Sequence, residues 1–434
     1  MKMSDVRVEP ITRPFRVTLS PPGSKSLTNR ALVLAALARG ECELSNVLFA
    51  DDTLVMLECL GRLGFEPEID RASYRVRVAG RGGALPSSSA ELFCGNSGTT
   101  IRFLTALCAL GRGGFNLDGI PRMRQRPIRE LVDLLRNLGA RIWYAQNEGF
   151  PPVILEADGL AGGFIRFGSA QSSQFLSAVL QVAPYARHEV RVDLNGPQTS
   201  WPYVAMTMRL MDEFGVTPEL IRDPETGDPR QIIIPREHYR PTAYAIEPDA
   251  SNAAYFFAAA AIHPDSQVTI PNLGKHSLQG DVGFADVLRQ MGADVQIKND
   301  SITVTGAGTL EGIDIDLAGM PDQAQTLAVV ALFANGPTTI RGLHTLRLKE
   351  TDRIAALATE LGKFAAHVDV QGDDLTIEPP EHFRPAAIDT YDDHRMAMSF
   401  ALTGTKEPGV TIKDAQCVNK TYPNYFEDLA RLTG

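Results

Sequence analysis

The chain contains 434 residues, which exceeds the size at which a single hydrophobic core usually stops growing, so we expect two or more domains. Its formal net charge is -10, with 42 Lys and Arg against 52 Asp and Glu, which argues against broad nucleic-acid binding. No apolar run reaches membrane-spanning length, the first ten residues lack an apolar signal region, and the five cysteines form no CxxC pattern. We therefore expect a protein of the reducing cytoplasm.

The stretch PPGSKSLTNR places Lys25 and Arg30 just before the apolar run ALVLAALA. It lacks the glycine spacing of a nucleotide-binding P-loop. Ser24 or Ser26 can cap a helix that we predict from about residue 26 to residue 38. A cation at the positive end of a helix is unfavourable, whereas a bound anion is favourable there. The two basic side chains therefore indicate either an anionic ligand or two solvated charges.

Six helix-like segments along the chain are apolar nearly all round, and each begins with polar or charged residues. They are SLTNRALVLAALA, GTTIRFLTALCAL, SSQFLSAVLQVA, DASNAAYFFAAAAI, DQAQTLAVVALFA and DDHRMAMSFAL. A helix that is apolar on all sides is typically buried, so we expect several polar helix starts to face a common space. Ordinary capping explains some of these residues, but it does not explain SKSLTNR, GNSGTT and DDHR together.

A second, amphipathic series of helices ends in a common pattern, as in LECLGRLGF, LVDLLRNLGA, LRLMDEFGV, FADVLRQMGA and LATELGKFAA, with FEDLARLTG as a shortened relative. The aligned positions Gly64, Gly139, Gly215, Gly292 and Ala365 are separated by 75, 76, 77 and 73 residues. The four glycines are natural helix C-caps, and strand-like runs such as SYRVRVAG and SITVTG usually follow. The chain is therefore predicted to be an α/β protein built from six related repeats.

Polar loops precede the amphipathic helices, among them IPRMRQRP, NGPQTSWPY, LRLKETDR and CVNKTYPN. Catalytic groups often lie on loops that a regular scaffold positions. Arg122, Arg124 and Arg126, like Lys349 and Arg353, could be solvated basic turns. Their recurrence at corresponding places in the repeats favours an anion-binding site.

Eight ordered motifs extend over almost the whole chain: PGSKSLTNRAL, GNSGTTIRFL, RMRQRPI, SSQFLSA, PDQAQTLAV, LKETDRI, YDDHRMAMSF and KTYPNYF. Together they resemble the 5-enolpyruvylshikimate-3-phosphate synthase family. The resemblance implies a two-domain inside-out α/β barrel built from six related βαβαββ-like repeats, with the active site in the cleft. It implies that residues 22–243 form an N-terminal domain that mainly binds shikimate 3-phosphate. Residues 1–21 and 244–434 would form a C-terminal domain that completes the phosphoenolpyruvate site.

The reaction implied by the resemblance transfers the carboxyvinyl group of phosphoenolpyruvate to the 5-hydroxyl of shikimate 3-phosphate and releases phosphate, in aromatic amino-acid (chorismate) biosynthesis. Both substrates are anions, and Lys and Arg bind such groups through charge-assisted hydrogen bonds. The resemblance implies no cofactor and no metal. It also implies a monomer whose partners are its two substrates, without nucleic acid or membrane.

Motif positions assign residues to each substrate by resemblance. The shikimate 3-phosphate side has Ser26, Arg30, Ser172, Ser173, Gln174, Ser200 and Tyr203. The phosphoenolpyruvate side has Asn96, Gly98, Thr99, Arg126, Arg353, Arg395 and Lys420, with Lys25 and Lys349 bridging the two. The motif YDDHRMAM favours a cleft role for His394, although a surface histidine is the alternative. Gly98 could equally be a flexible turn, and the two serines at 172 and 173 could be caps without a ligand.

The chemistry needs proton removal from an alcohol and proton delivery to a vinyl carbon. By resemblance, Asp322 acts on the hydroxyl and Glu350 on the vinyl carbon, with Lys25 assisting charge and proton movement. Either carboxylate could instead be a helix cap or an ion-pair partner.

The closest alternative is the carboxyvinyltransferase that acts on UDP-N-acetylglucosamine, which resembles this family in fold and donor. That relative typically carries KN where this chain has Lys25 and Ser26, and it often has a reactive cysteine in the loop that reads PRMRQRP here. A noncatalytic anion-binding relative is a second alternative. Two departures from the family pattern are Thr345, where some members have Asn, and Phe103, where many have Pro. Because Gly98 is present, we expect sensitivity to the inhibitor glyphosate, with Phe103 modulating it.

Overall fold

The computed structural model describes residues 5–168, 172–196, 198 and 200–433. Backbone contacts divide the chain into two compact units, Gly23–Ile246 and a discontinuous unit of Met1–Pro22 with Glu247–Gly434. The boundaries expected from the resemblance were residues 22 and 243. Within the described ranges, no helix is long and apolar enough to cross a membrane.

The α-helices fall into two alternating series. In chain order they are α1 (Lys25–Leu37), α2 (Asp51–Arg62), α3 (Gly98–Ala109), α4 (Arg129–Asn137), α5 (Ser173–Val182), α6 (Trp201–Glu213), α7 (Ala250–Ile262), α8 (Phe284–Gln290), α9 (Ala324–Ala331), α10 (Arg353–Lys363), α11 (His394–Lys406) and α12 (Tyr425–Ala430). The odd-numbered helices are the segments predicted to be apolar all round, and the even-numbered ones are the amphipathic series.

The strands are short and regularly spaced. In chain order they are β1 (Val6–Arg7), β2 (Arg16–Thr18), β3 (Glu41–Ser45), β4 (Glu68–Asp70), β5 (Arg75–Ala79), β6 (Ser89–Phe93), β7 (Arg112–Asp118), β8 (Ile142–Tyr144), β9 (Val153–Asp158), β10 (Gly163–Phe167), β11 (Val190–Leu194), β12 (Glu219–Arg222), β13 (Pro229–Ile234), β14 (Ala243–Ala245), β15 (Gln267–Pro271), β16 (Asp294–Ile297), β17 (Ser301–Thr305), β18 (Leu310–Glu311), β19 (Asp314–Asp316), β20 (Ala334–Asn335), β21 (Thr338–Arg341), β22 (His367–Gln371), β23 (Asp374–Glu378), β24 (Ala387–Ile388) and β25 (Thr411–Ile412).

One sheet topology recurs along the described chain. Five four-stranded sheets have the orders β14-β3-β5-β4, β6-β7-β9-β8, β10-β11-β13-β12, β2-β15-β17-β16 and β19-β21-β23-β22. In each, the first pair of strands is parallel and the other two pairs are antiparallel. A three-stranded sheet, β24-β25-β1, repeats the parallel and then the antiparallel pair. The six related repeats predicted from the sequence are therefore confirmed.

Two strands explain why one unit is discontinuous in sequence. Strand β2 pairs with β15 in the sheet of the unit it leaves, and the chain then enters α1. Strand β14 likewise pairs with β3 in the sheet of the Gly23–Ile246 unit before the chain enters α7. Because each strand is the parallel edge of a four-stranded sheet, both crossings are anchored by backbone hydrogen bonds.

The odd-numbered helices are buried as the sequence predicts, and side chains cap the starts of all of them except α9. Every residue of α7 is buried, and so is every residue of α3. Ser24 accepts from the amide of Leu27 (3.4 Å), so Ser24 rather than Ser26 is the cap of α1. Ser97, Asp249 and Asp393 cap α3, α7 and α11 in the same way. Caps of this kind satisfy amides that have no partner within the helix.

The aligned position after each of five amphipathic helices is left-handed. Gly64, Gly139, Gly215 and Gly292 have φ of 86°, 97°, 83° and 113°, which a residue without Cβ adopts easily. Ala365 takes the same place after α10 with φ 71°, and its amide donates to the Gly362 carbonyl (3.0 Å). The repeat therefore imposes on an alanine a conformation that favours glycine.

We expect Ala365→Gly to raise the free energy of unfolding by about 0.5–1 kcal/mol, because removing Cβ relieves left-handed strain that exceeds the entropy added to the unfolded chain. Urea denaturation followed by circular dichroism measures the shift in midpoint. Gly292→Ala is the matched control, since its added Cβ would have Thr309 O at 3.4 Å as its nearest contact, and it should be destabilising. A lower midpoint for Ala365→Gly would contradict the strain argument.

Candidate active site

In the Gly23–Ile246 unit, the starts of α1 and α3 meet the first turn of α2. The Nζ of Lys25 lies 3.5 Å from Oδ2 of Asp52. Thr100, in the first turn of α3, donates its hydroxyl to the backbone carbonyl of Asp52 (3.3 Å). Both side chains of the Lys25–Asp52 pair are largely buried. The cation that the sequence places at the α1 start is therefore held beside α3.

Arg30 is a buried cation whose described hydrogen-bond acceptors are uncharged. It is 1% exposed, which excludes the solvated-charge interpretation for this residue. Its Nε donates to Thr207 Oγ1 (2.7 Å), and Nη2 donates to Ser177 Oγ (3.3 Å) and to the Tyr203 carbonyl (3.4 Å). Burial lowers the pKa of Arg30 to about 10. A guanidinium in this setting retains a strong preference for an anion.

Phe103 lies beneath that guanidinium. The Cζ of Arg30 is 5.2 Å from the centre of the Phe103 ring, which is within cation–π distance. The ring, from α3, therefore packs against the basic side chain of α1. Phe103, one of the two positions at which this chain departs from the family pattern, is thus in contact with a predicted site residue.

Gly98 and Arg126 are in close contact at the start of α3. Nη1 of Arg126 donates to the backbone carbonyl of Asn96 (3.0 Å). A Cβ added at Gly98 would lie 2.7 Å from Arg126 Nη2, so the guanidinium would have to move. Thr99, the next residue, is buried. The flexible-turn interpretation of Gly98 is therefore wrong, because the residue begins a helix and admits an arginine side chain.

The three arginines of the basic loop have different surroundings. Arg124 donates to both carboxylate oxygens of Asp118 (2.9 and 2.5 Å), and Arg122 donates to Gln125 (3.2 Å). Only Arg126 of the three is buried. Of the three basic residues in this loop, Arg126 is buried against the start of α3, and the other two are half-buried.

The start of α5 contacts a cation of α3 that sequence reasoning missed. Arg102, four residues after Gly98, donates to Gln174 Oε1 (2.5 Å), and its guanidinium stacks over Phe175 (4.9 Å). Ser172 caps the helix by accepting from the Gln174 amide (3.3 Å), which agrees with the capping interpretation of this serine. An arginine inside the otherwise apolar segment GTTIRFLTALCAL was the signal that could have identified it.

Ser200 and Tyr203 lie at the start of α6. Ser200 is buried and left-handed at φ 51°, a strained conformation for a residue with a side chain. The carbonyl of Tyr203 accepts from Arg30 Nη2 and from Thr207 Oγ1 (2.8 Å). The structure therefore brings Tyr203 and Arg30 together, and Arg30 Nη1 also donates to the carbonyl of Ser26 (2.9 Å).

In the second unit, Arg353 binds three carboxylates from three loops. Its Nη1 donates to Asp322 Oδ1 (3.0 Å), and its Nη2 donates to Glu350 Oε2 (2.9 Å). Asp393 accepts from Nε (2.7 Å) and from Nη2 (3.2 Å). Arg353 is 1% exposed. Burial alone would lower the pKa of Arg353, but the three carboxylates outweigh burial and raise it.

Further cations pair with the carboxylates of the two predicted proton-transfer residues, Asp322 and Glu350. Oδ2 of Asp322 accepts from Arg395 Nη2 (3.0 Å), and Lys349 Nζ lies 3.8 Å from Asp322 Oδ1. Oε1 of Glu350 lies 3.0 Å from Lys420 Nζ. Both carboxylates therefore form ion pairs, as the alternative interpretation of the sequence expected. The predicted cations of this unit thus surround the two predicted carboxylates.

The segment before α11 is strained, and it leads into two buried residues, Asp393 and His394. Tyr391 and Asp392 are both left-handed, with φ of 55° and 54°. His394 is buried, so it is not a surface histidine, and its Nδ1 lies 3.7 Å from Asp393 Oδ1. Burial raises the pKa of the Asp392 carboxyl, whereas Lys420 lowers it.

Asp393 is the second residue that the sequence argument missed. Its carboxylate caps α11 by accepting from the Arg395 amide (2.9 Å) while it binds the Arg353 side chain. The pair of aspartates in DDHR was the available signal. The sequence could not decide which of the two aspartates is buried, because that depends on the left-handed conformation of Tyr391 and Asp392.

Comparisons with known proteins show which family the chain is similar to. A family model described as EPSP synthase (3-phosphoshikimate 1-carboxyvinyltransferase) matches residues 11–429. The 3-phosphoshikimate 1-carboxyvinyltransferase of Nostoc punctiforme is 45% identical over 424 residues, covering 98% of each chain. The protein of that name from Shewanella denitrificans is 46% identical and covers 99% of each chain.

Solved structures give the same result. An EPSP synthase from Acinetobacter baumannii matches with a TM-score of 0.81 and 26% identity, covering 98% of this chain and 97% of that one. The enolpyruvyl transferase NikO from Streptomyces tendae, at 20% identity and a TM-score of 0.75, shares the fold. These matches confirm the predicted α/β fold class. Given a family model that spans nearly the whole chain and relatives that are nearly half identical, the chain belongs to the EPSP synthase family.

Proposed function

We propose that the protein is a 3-phosphoshikimate 1-carboxyvinyltransferase of aromatic amino-acid biosynthesis. The 5-oxygen of shikimate 3-phosphate bonds to C2 of phosphoenolpyruvate while C3 gains a proton. The C3 proton and the phosphate group then leave, which restores the vinyl group. Family membership and the names of the relatives support this reaction. We further propose that the protein acts as a cytoplasmic monomer without a cofactor.

One observation supports the two proton transfers of the proposed reaction. Asp322 and Glu350 accept from two nitrogens of the same guanidinium, Nη1 and Nη2 of Arg353, at 3.0 and 2.9 Å. Two carboxylates assigned to proton transfer are thereby held side by side in a cluster that also contains Arg395 and Lys420. A site that combines acid–base groups with cations suits a reaction of anionic substrates that needs two proton transfers.

We propose that substrate binding exchanges these ion pairs. The carboxylate and phosphate groups of phosphoenolpyruvate compete with Asp322 and Glu350 for Lys349, Arg395 and Lys420. Because Arg353 is fully enclosed, it keeps the carboxylates in place while the more accessible cations turn to the substrate. Carboxylate oxygens are thereby released for proton transfer at the moment the substrate is bound.

The individual roles follow the motif assignments and the cation geometry. Asp322 takes the proton of the 5-hydroxyl, Glu350 delivers and later removes the proton at C3, and Lys25 assists. The Gly23–Ile246 unit mainly binds shikimate 3-phosphate through Ser26, Arg30, Ser172, Ser173, Gln174, Ser200 and Tyr203. The residues that serve phosphoenolpyruvate are Asn96, Gly98, Thr99, Arg126, Arg353, Arg395 and Lys420. Lys25 and Lys349 bridge the two substrates, and His394 has a role in the cleft. The enclosed guanidinium of Arg30 supports its role in binding an anion.

The reaction itself is tested by phosphate release from phosphoenolpyruvate with two acceptors. We expect release with shikimate 3-phosphate and none with UDP-N-acetylglucosamine, since the Lys25–Ser26 pair and the cysteine-free PRMRQRP loop fit the first acceptor. Mass spectrometry of the product should give enolpyruvylshikimate 3-phosphate. Release with neither acceptor would refute the transferase proposal, and release with the sugar nucleotide alone would move the chain to the other activity.

We expect Asp322→Asn and Glu350→Gln each to lower kcat by about 100-fold to 10,000-fold, the usual contribution of general acid–base catalysis. Binding of shikimate 3-phosphate should stay within about twofold, because the acceptor is assigned mainly to groups of the other unit. Steady-state kinetics and calorimetric titration separate the two effects. Near-normal turnover in both variants would overturn the catalytic assignment.

Arg126→Ala should raise the KM for phosphoenolpyruvate by at least about tenfold and change kcat less, because a charge-assisted pair contributes roughly 1.5–3 kcal/mol. Arg124→Ala is the matched control from the same loop, since Arg124 pairs with Asp118 and is 40% exposed. The control should leave both kinetic constants unchanged. Equal effects of the two substitutions would show that the loop acts through its total charge.

A further inference from the structure

The segment Asp389–Asp393 requires external support. Its two left-handed residues, Tyr391 and Asp392, are consecutive and neither is glycine. Each such residue costs about 1–2 kcal/mol, so the conformation persists only where surrounding contacts hold it. The segment ends at Asp393, which binds Arg353, and it is followed by Arg395, which binds Asp322. The shape of this turn therefore sets the position of two groups in the candidate active site.

Glu360 holds the first part of that turn. Its side chain is 0% exposed, although it carries a carboxylate. Oε1 accepts from the hydroxyl of Tyr391 (2.7 Å), and Oε2 accepts from the backbone amide of Asp389 (3.0 Å) and from Lys363 Nζ (2.6 Å). Three donors on one enclosed carboxylate offset the cost of burying its charge.

A second set of ion pairs fixes the same part of the turn. The carboxylate of Asp389 lies 2.8 Å from Lys363 Nζ and 2.9 Å from Lys413 Nζ. Lys363 therefore joins the side chains of Glu360 and Asp389. The backbone of the turn is closed by the Asp393 amide, which donates to the Thr390 carbonyl (2.9 Å).

Helix α10 contacts both ends of the turn through one face. Arg353 begins the helix and binds the carboxylate of Asp393, while Glu360 lies seven residues later and binds Asp389 and Tyr391. Seven residues correspond to about two helical turns, so the two side chains lie on the same face. One rigid element thus fixes the start and the end of a strained segment.

We propose that Glu360 is a positioning residue for the carboxyvinyl transfer. It acts through Tyr391 and Asp389 to hold the left-handed turn that places Asp393 and Arg395. The inference rests on the proposed function and extends it to a residue two helical turns away from Arg353. Burial and then the hydrogen bond to Glu360 raise the pKa of Tyr391 to about 12, so the hydroxyl stays a donor at neutral pH.

The test compares Tyr391→Phe, Glu360→Gln and the double variant with wild type. Tyr391→Phe removes one hydroxyl from a side chain that is 41% exposed, so this variant should fold even where Glu360→Gln does not. Tyr425→Phe is the matched control, because it removes a buried hydroxyl that donates to the Met398 carbonyl (2.7 Å) in the same unit. The readouts are kcat, the two KM values and hydrogen exchange in the peptide 388–396.

We expect Tyr391→Phe to lower kcat/KM for phosphoenolpyruvate by about tenfold, the effect of losing one charge-assisted hydrogen bond, with the KM for shikimate 3-phosphate unchanged. The double variant should lose less than the sum of the two single losses, because both substitutions weaken the hydrogen bond between Tyr391 and Glu360. Exchange in the peptide 388–396 should increase in all three variants. Tyr425→Phe should alter neither the kinetics nor the exchange of that peptide.

Unchanged exchange in Tyr391→Phe and Glu360→Gln would overturn the inference. Additive losses in the double variant, or equal losses toward both substrates, would overturn it as well, because they would indicate general destabilisation. A wild-type protein that releases no phosphate, combined with increased exchange in the variants, would refute the proposed reaction. It would support the role of Glu360 in holding the turn.

Discussion

The enclosed guanidinium of Arg353 is the constraint on which the second unit depends. Removing a cation from water is expensive, and three carboxylates at hydrogen-bond distance offset that cost here. Asp322 precedes α9, Glu350 precedes α10 and Asp393 precedes α11. Three loops from three repeats must therefore meet at one side chain, because a displaced carboxylate would leave buried charge uncompensated.

The two units use buried arginines in opposite ways. Arg30 is enclosed by hydroxyl and carbonyl oxygens and by the ring of Phe103, so its charge is not balanced by any described carboxylate partner. Arg353 is balanced by three carboxylates, two of which also pair with other cations. An enclosed arginine of the first kind suits binding of an anion, whereas a network of the second kind suits proton transfer coupled to binding.

The buried helices that recur in the repeats differ from the strained residues that occur at single places in the chain. Equivalent buried helices begin with side-chain caps in both units, as α1, α3, α7 and α11 show. Several residues other than glycine have the strained left-handed conformation. Among them, Ala365 has it because the repeat demands a left-handed residue, and Tyr391 and Asp392 have it because the turn before α11 does. The latter strain is held by Glu360 and Arg353 from a single helix.

The sequence by itself determined the six repeats, the buried helices, their polar starts and the family, because periodicity, caps and ordered motifs are local features. It did not determine that Arg353 lies among three carboxylates, that Arg102 binds Gln174, or that Glu360 supports the turn before α11. It also could not assign β14 to the sheet of β3, two hundred residues earlier in the chain. Only the tertiary structure decided these, since the partner of a buried charge or an edge strand depends on residues far apart in sequence that folding brings together.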